Sequence, residues 1–305
     1  MGEALRLVQE MRLYEEKSYE TLGWPEAHLR RNVFWHLYIG DKSASILNKV
    51  PISLHQICLE SPITTMFDEG LACNLMCPAH ELGSQAFENQ LRAGFFLCFR
   101  LWYAASEMLI DLNFLSRLYN KNGRLEAPGP SADTSHLRNT ITHSYLAFTS
   151  ILHNCPDWIR NPSSAADSSG TTARFQNLSF YIQKANLFVT FHILRLVLLS
   201  RFADRGAADI LGLTSDPATL SLRKVEIASD LLDSIKDIPF EALQANGEPC
   251  VEKLRQVGVA LLETMHSVDN EAIAVRARFL FGMLLDILSR LNSRISDELS
   301  NDHES

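Results

Sequence analysis

Apolar residues recur at i, i+3 and i+4 along most of the chain, the spacing that lines one face of an α-helix, and no stretch sustains the alternation of a strand. The pattern predicts an all-α protein, an irregular multi-helix bundle. Ala4, Leu7, Val8 and Met11 share a face and predict a first helix over residues 3–19, broken by Gly23-Trp24-Pro25. Pro25 suits the first turn of a second helix, where a missing N–H costs nothing, and that helix runs to Asn48 and stops near Pro51. Residues 51–83 read as irregular. A long helical pattern over 84–119 carries Phe87, Leu91, Phe95, Cys98, Trp102 and Leu109. Residues 127–133 form a turn-rich linker, after which Thr134 or Ser135 can cap a helix reaching Cys155. The low-complexity stretch 162–172 is expected to be a mobile loop. Further helices are expected over 173–205, 217–236, 239–245, 249–267 and 270–298, with a frayed tail at 300–305.

Composition narrows the class. Of 305 residues, 46% are apolar and 21% charged, ordinary globular values that exclude collagen-like, disordered and extended coiled-coil chains. The net charge of −8 and the lack of a basic stripe argue against direct binding to nucleic acid, because phosphate affinity comes from clustered Lys and Arg. The first 20 residues hold Glu3, Glu10, Glu15 and Glu16 and no signal-peptide core. The longest apolar run, 187–199, contains His192 and Arg195 and falls short of the about 20 residues of a membrane span. An intracellular protein with no membrane partner is expected. Six scattered cysteines read as free thiols.

Candidate chemistry is sparse. His55, Cys58, Cys73, Cys77 and His80 are zinc-type ligands, but their spacing is loose, and apolar thiols beneath a loop are the commoner arrangement. Asp230, Asp233 and Asp237 have the helical spacing of a magnesium-diphosphate cluster, yet Leu231, Leu232 and Ile235 beside them fit the solvated face of an amphipathic helix better. Nucleophile elbows, Walker loops, zinc-protease and dinucleotide motifs do not occur. No catalytic residue, metal or cofactor is expected.

The most informative segment is 26–42. Leu29, Val33, Leu37 and Gly40 can form one buried stripe, with Phe34, Trp35 and Tyr38 as a second, aromatic face. Arg30 and Arg31 sit near the helix start, where the dipole disfavours cations, so acidic partners are expected. Asp41 follows Arg30 by three turns on the same face. With Glu26, Arg30-Arg31, Phe34-Trp35, Tyr38, Asp41 and Pro51, the segment resembles the regulatory, or middle homology, domain of the fungal binuclear zinc-cluster transcription factors. Lys42 stands in place of that family's usual Arg, and Lys49-Val50 in place of Gly-Arg. Segments 183–187, 222–232 and 244–256 resemble a subgroup linked to carbohydrate catabolism. The resemblance spans residues 4–290 and lacks the six-cysteine DNA-binding cluster and the domain's earlier helices.

The resemblance implies a single regulatory domain over 1–299 that does not itself contact DNA, acts in the nucleus, and answers to a small-molecule effector or a protein partner. Phe95, Trp102, Phe188 and Phe191 are candidate pocket residues, although such aromatics are more often plain core. Without the earlier helices, exposed apolar surface should favour a homodimer or larger assembly. The alternative is a stand-alone, regulator-derived enzyme acting on a hydrophobic metabolite, located in the cytoplasm.

Overall fold

The computed structural model describes residues 2–48, 50–55, 85–122, 132–164 and 171–301, which hold ten α-helices and no strand. They are α1 (Gly2–Glu10), α2 (Trp24–Asn48), α3 (Gln85–Asn122), α4 (Ala132–His153), α5 (Asp157–Arg160), α6 (Thr171–Asp204), α7 (Pro217–Ile235), α8 (Phe240–Gln244), α9 (Gly247–Ser267) and α10 (Glu271–Asn301). The chain divides into two compact units, Met1–Ser106 and Glu107–Ser305.

The first predicted helix is shorter than its periodicity suggested. It ends at Glu10, the chain turns through Arg12 at φ 52°, and only a 3-10 turn at Glu16–Tyr19 follows. This break lets Leu13, Tyr14 and Tyr19 all reach the core, which a straight helix through these positions would not allow. Of the expected loop, Pro162–Ser164 form a 3-10 turn and Thr171 and Thr172 open α6, while 165–170 lie outside the described residues. The tail is helical through Asn301. Three short elements were not expected: α5 and the 3-10 turns at Pro162–Ser164 and Ala208–Leu211.

In the first unit, α2 buries Phe34, Trp35 and Tyr38 in a cluster with Leu5, Val8, Leu13, Tyr14, Tyr19 and Phe99. Trp35 meets Phe99 edge-on at 4.6 Å, and Tyr38 lies 5.3 Å from the same ring. The expected stripe of Leu29, Val33, Leu37 and Gly40 is corrected in part: Leu37 packs against this cluster, but Leu29 and Val33 do not. Leu29 and Val33 are more than half exposed, because they occupy the face of α2 opposite the aromatic one, and the rings bury more apolar area.

In the second unit, α6 is the central helix, packed against α5, α7, α8 and α9, and α10 lies along α9 and α7. Two segments, Phe87–Leu118 and Thr172–Asp204, are long and apolar enough to cross a membrane. In α6, however, 67% of the most apolar window is buried against the protein, the ordinary environment of a bundle's central helix. Gly258 sets the α9–α10 spacing: a Cβ there would rest 3.5 Å from Leu284 and 3.6 Å from Phe281. Gly258→Ala is therefore expected to be neutral or to stabilise by up to about 1 kcal/mol through helix propensity. Gly258→Phe should cost about 1–3 kcal/mol by overpacking. Urea midpoints of the two variants check this, and equal midpoints would refute it.

Candidate functional site

The second unit contains a cavity of about 980 Å³ walled by α4, α6 and α7. That volume suits a metabolite-sized ligand. Tyr145 and Leu152 of α4 and Phe188 and Phe191 of α6 supply apolar wall, and Phe191 stacks on buried Phe148 at 5.2 Å. Leu211 and Leu213 reach it from either side of Gly212, whose φ of 75° makes a left-handed turn that a side chain would strain. The α7 wall starts cleanly: Asp216 accepts from the Thr219 N–H at 2.8 Å and Pro217 follows it, an N-cap with proline in the first turn.

The polar wall is a chain of hydrogen bonds joining α6 to α7. Arg195 Nη1 donates to Asp230 Oδ2 at 2.8 Å and to His192 Nδ1 at 3.2 Å. A guanidinium can only donate, so His192 Nδ1 is the acceptor, and the neutral ring carries its proton on Nε2. That Nε2–H reaches Ser234 Oγ at 3.2 Å, and the Ser234 hydroxyl donates to the Asp230 carbonyl at 2.6 Å. Burial pushes the His192 pKa down to about 3, with the neighbouring Arg195 charge acting in the same direction and Asp230 opposing them. His192 and Ser234 have the separation of a catalytic pair but the wrong proton arrangement. A base must accept the serine proton at Nε2, and here Nε2 is the donor. The hydrogen bonds fix the geometry of this wall, and Arg223 pairs with Glu226 at 2.8 Å at the same cavity.

The pocket residues expected from the sequence separate. Phe188 and Phe191 line the cavity. Phe95 packs on the core cluster of the first unit, 5.0 Å from the His36 ring, and Trp102 is fully buried in that unit. The expected aspartate face is partly corrected: Asp230 and Asp233 stand at the cavity, and Asp230 holds the buried Arg195 rather than only facing water. Among the described residues, no group of three or more His, Cys, Asp and Glu could hold a metal, and Cys58, Cys73, Cys77 and His80 lie outside those residues.

The sequence did contain a signal for the Arg195 network. Arg195 and His192 interrupt the most apolar stretch of the chain, and a charge there must find a partner.

The motif helix forms a different kind of site. Arg30 pairs with Glu26 one turn earlier, and Arg31 pairs with Glu16 while its guanidinium lies 4.4 Å from the Tyr19 ring centre. Asp41, buried, accepts from the N–H of Ser53 at 2.9 Å and of Leu54 at 2.9 Å. Lys42, fully buried, lies 3.3 Å from Asp41, donates to the Leu54 carbonyl, and stands 4.3 Å over the Tyr38 ring. This acid and base therefore clamp residues 53–54 onto the end of α2, and Gln9 of α1 donates to the Ser53 carbonyl at 3.3 Å. The motif residues build and close the first unit's core.

Comparison with known proteins agrees with this helix. The sequence model of the fungal specific transcription factor domain matches residues 1–158, which include α2 with its arginine pair and the α4 wall of the cavity. No curated protein and no solved structure matches the chain. The match covers just over half of the 305 residues, and the chain belongs to the family defined by the fungal specific transcription factor domain.

Proposed function

We propose that this chain is the effector-sensing part of a fungal transcription regulator. It acts in the nucleus by binding a small metabolite in the cavity between α4, α6 and α7, without itself contacting DNA. The observation that carries this reading is the Arg195–His192–Ser234–Asp230 chain on the cavity wall, because it ties two helices together at the point a ligand would touch. A ligand that takes over a donor of Arg195 loosens its hold on Asp230 and so favours a different packing of α7 against α6. Such control requires only that the ligand bind one packing more tightly than the other. Differences of about 1–3 kcal/mol are typical of such coupling and correspond to about 5- to 150-fold in affinity. The acidic net charge supports action through an effector rather than through phosphate contacts. Family membership favours a regulator over an enzyme.

The test is a thermal-shift screen of a metabolite collection against the wild-type chain and Phe188→Trp, which fills part of the cavity. A compound that raises the melting temperature of the wild type by several degrees and leaves Phe188→Trp unmoved supports the reading. Compounds that shift both proteins equally, or neither, count against this cavity.

A further inference from the structure

We propose that the outward face of α10 is a self-association surface that pairs this chain with a second copy of itself, helix against helix and antiparallel, about a twofold axis at Gly282. The starting observation is an exposed ridge on a helix whose other face is buried. Val275, Phe279 and Leu285 are 50%, 58% and 48% exposed, while Ala277, Leu280 and Leu284 on the inner face are buried. At 3.6 residues per turn, Val275, Phe279, Gly282 and Leu285 fall within one outward strip, which also holds exposed Arg278 and Asp286. Gly282 stands at its middle in open space, with nothing within 4 Å of where a Cβ would be.

The occupant follows from the order of residues along the strip. An isologous pair about a twofold axis places a residue n positions before the axis level with the residue n positions after it on the other copy. Around Gly282 this rule matches like with like and plus with minus. Phe279, three positions before, comes level with Leu285, three positions after. Arg278, four before, comes level with Asp286, four after. Each arginine thus gains an aspartate of the second copy, and Phe279 and Leu285 gain each other as apolar neighbours, while Val275 comes level with Ser289. The parallel arrangement sets Arg278 level with Arg278 and Asp286 level with Asp286, and like charges in register disfavour it. Lacking a side chain, Gly282 lets the two backbones approach at the crossing point. Among the described residues, Asp286 pairs with exposed Arg290 at 3.9 Å, a contact weak enough that it can turn to a new cation at little cost.

This inference does not rest on the ligand reading, and it assigns self-association to a surface other than the exposed Leu29 and Val33 of α2. The test is sedimentation equilibrium of the full chain, of Arg278→Asp, of Asp286→Arg, and of the two variants mixed in equal amounts. The wild type is expected to dimerise at micromolar concentration. Either variant alone sets like charges level with each other, and its dissociation constant should rise about tenfold, the scale of turning two modest ion pairs into repulsions. In the mixture, aspartate at 278 meets arginine at 286 and arginine at 278 meets aspartate at 286. The mixture should therefore recover wild-type association as a heterodimer, which misfolded variants could not do. A monomeric wild type, a dimer indifferent to both substitutions, or a mixture no tighter than its components overturns the proposal.

Discussion

Asp41→Ala is expected to lower the stability of the first unit by about 3–5 kcal/mol, the cost of removing one partner from a buried ion pair. The mechanism has two parts. Lys42 loses the carboxylate 3.3 Å from its ammonium group while remaining fully buried. The N–H groups of Ser53 and Leu54, at 2.9 Å from that carboxylate, lose their acceptor, and an unsatisfied buried donor carries its own desolvation penalty. Asp41→Asn keeps one oxygen for these donors but not the charge, so its loss should be smaller. Urea denaturation followed by circular dichroism ranks the three proteins. Midpoints for Asp41→Ala within error of the wild type would show that residues 53–54 are not clamped in this way.

The second large effect is a pH dependence carried by His192. Its folded pKa of about 3 lies below the ordinary histidine value of 6.5, so between these values the unfolded chain binds a proton that the folded one refuses. Stability from this group is complete above about pH 6.5 and falls as pH drops towards 3, at up to about 1.4 kcal/mol per pH unit. Near pH 4.5 the loss should reach about 3 kcal/mol. His192→Gln cannot titrate. Its stability should therefore fall less steeply over this range than that of the wild type, while carboxylates elsewhere contribute equally to both and cancel in the difference. Parallel stability curves would mean that His192 is not buried neutral against Arg195. Because His192, Arg195, Asp230 and Ser234 form one chain, the same measurement reports on the cavity wall on which the proposed effector site depends.

The helices were legible because their cause is local. The 3.6-residue spacing, Pro25 and Pro217 at helix starts and the breaks between them fixed α2, α3, α6, α7, α9 and α10 to within a few residues. The arginine-pair motif pointed to the family for a related reason: Phe34, Trp35, Tyr38 and Asp41 lie close in sequence on one helix, so a single segment displays their pattern. What periodicity could not reveal was which of two apolar faces turns inward. Leu29 and Val33 match the spacing as well as Phe34 and Tyr38 do, and only the aromatic side has Tyr14, Tyr19 and Phe99 to pack against. Nor could it group the aromatics. Phe95 and Phe191 have the same sequence character, yet one joins the first unit's core and the other walls a cavity in the second.

The cavity's shape and the partners of its buried charge belong to the tertiary structure, although Arg195 and His192 stood out in an apolar stretch of the sequence. His192 and Arg195 lie on α6, whereas Asp230 and Ser234 lie 35 and 42 residues further on, and a hydrogen bond across that separation leaves no periodic trace. The Asp41 clamp is intermediate: the residue stood out in the motif, but its partners, backbone N–H groups 12 and 13 positions away, have no residue-type signature. The sequence by itself determined the all-α class, the boundaries of the long helices and the family, because each is encoded in residues close together along the chain. Only the fold decided which charges are buried, which partners they find and where space remains for a ligand, because these depend on contacts between segments far apart in sequence.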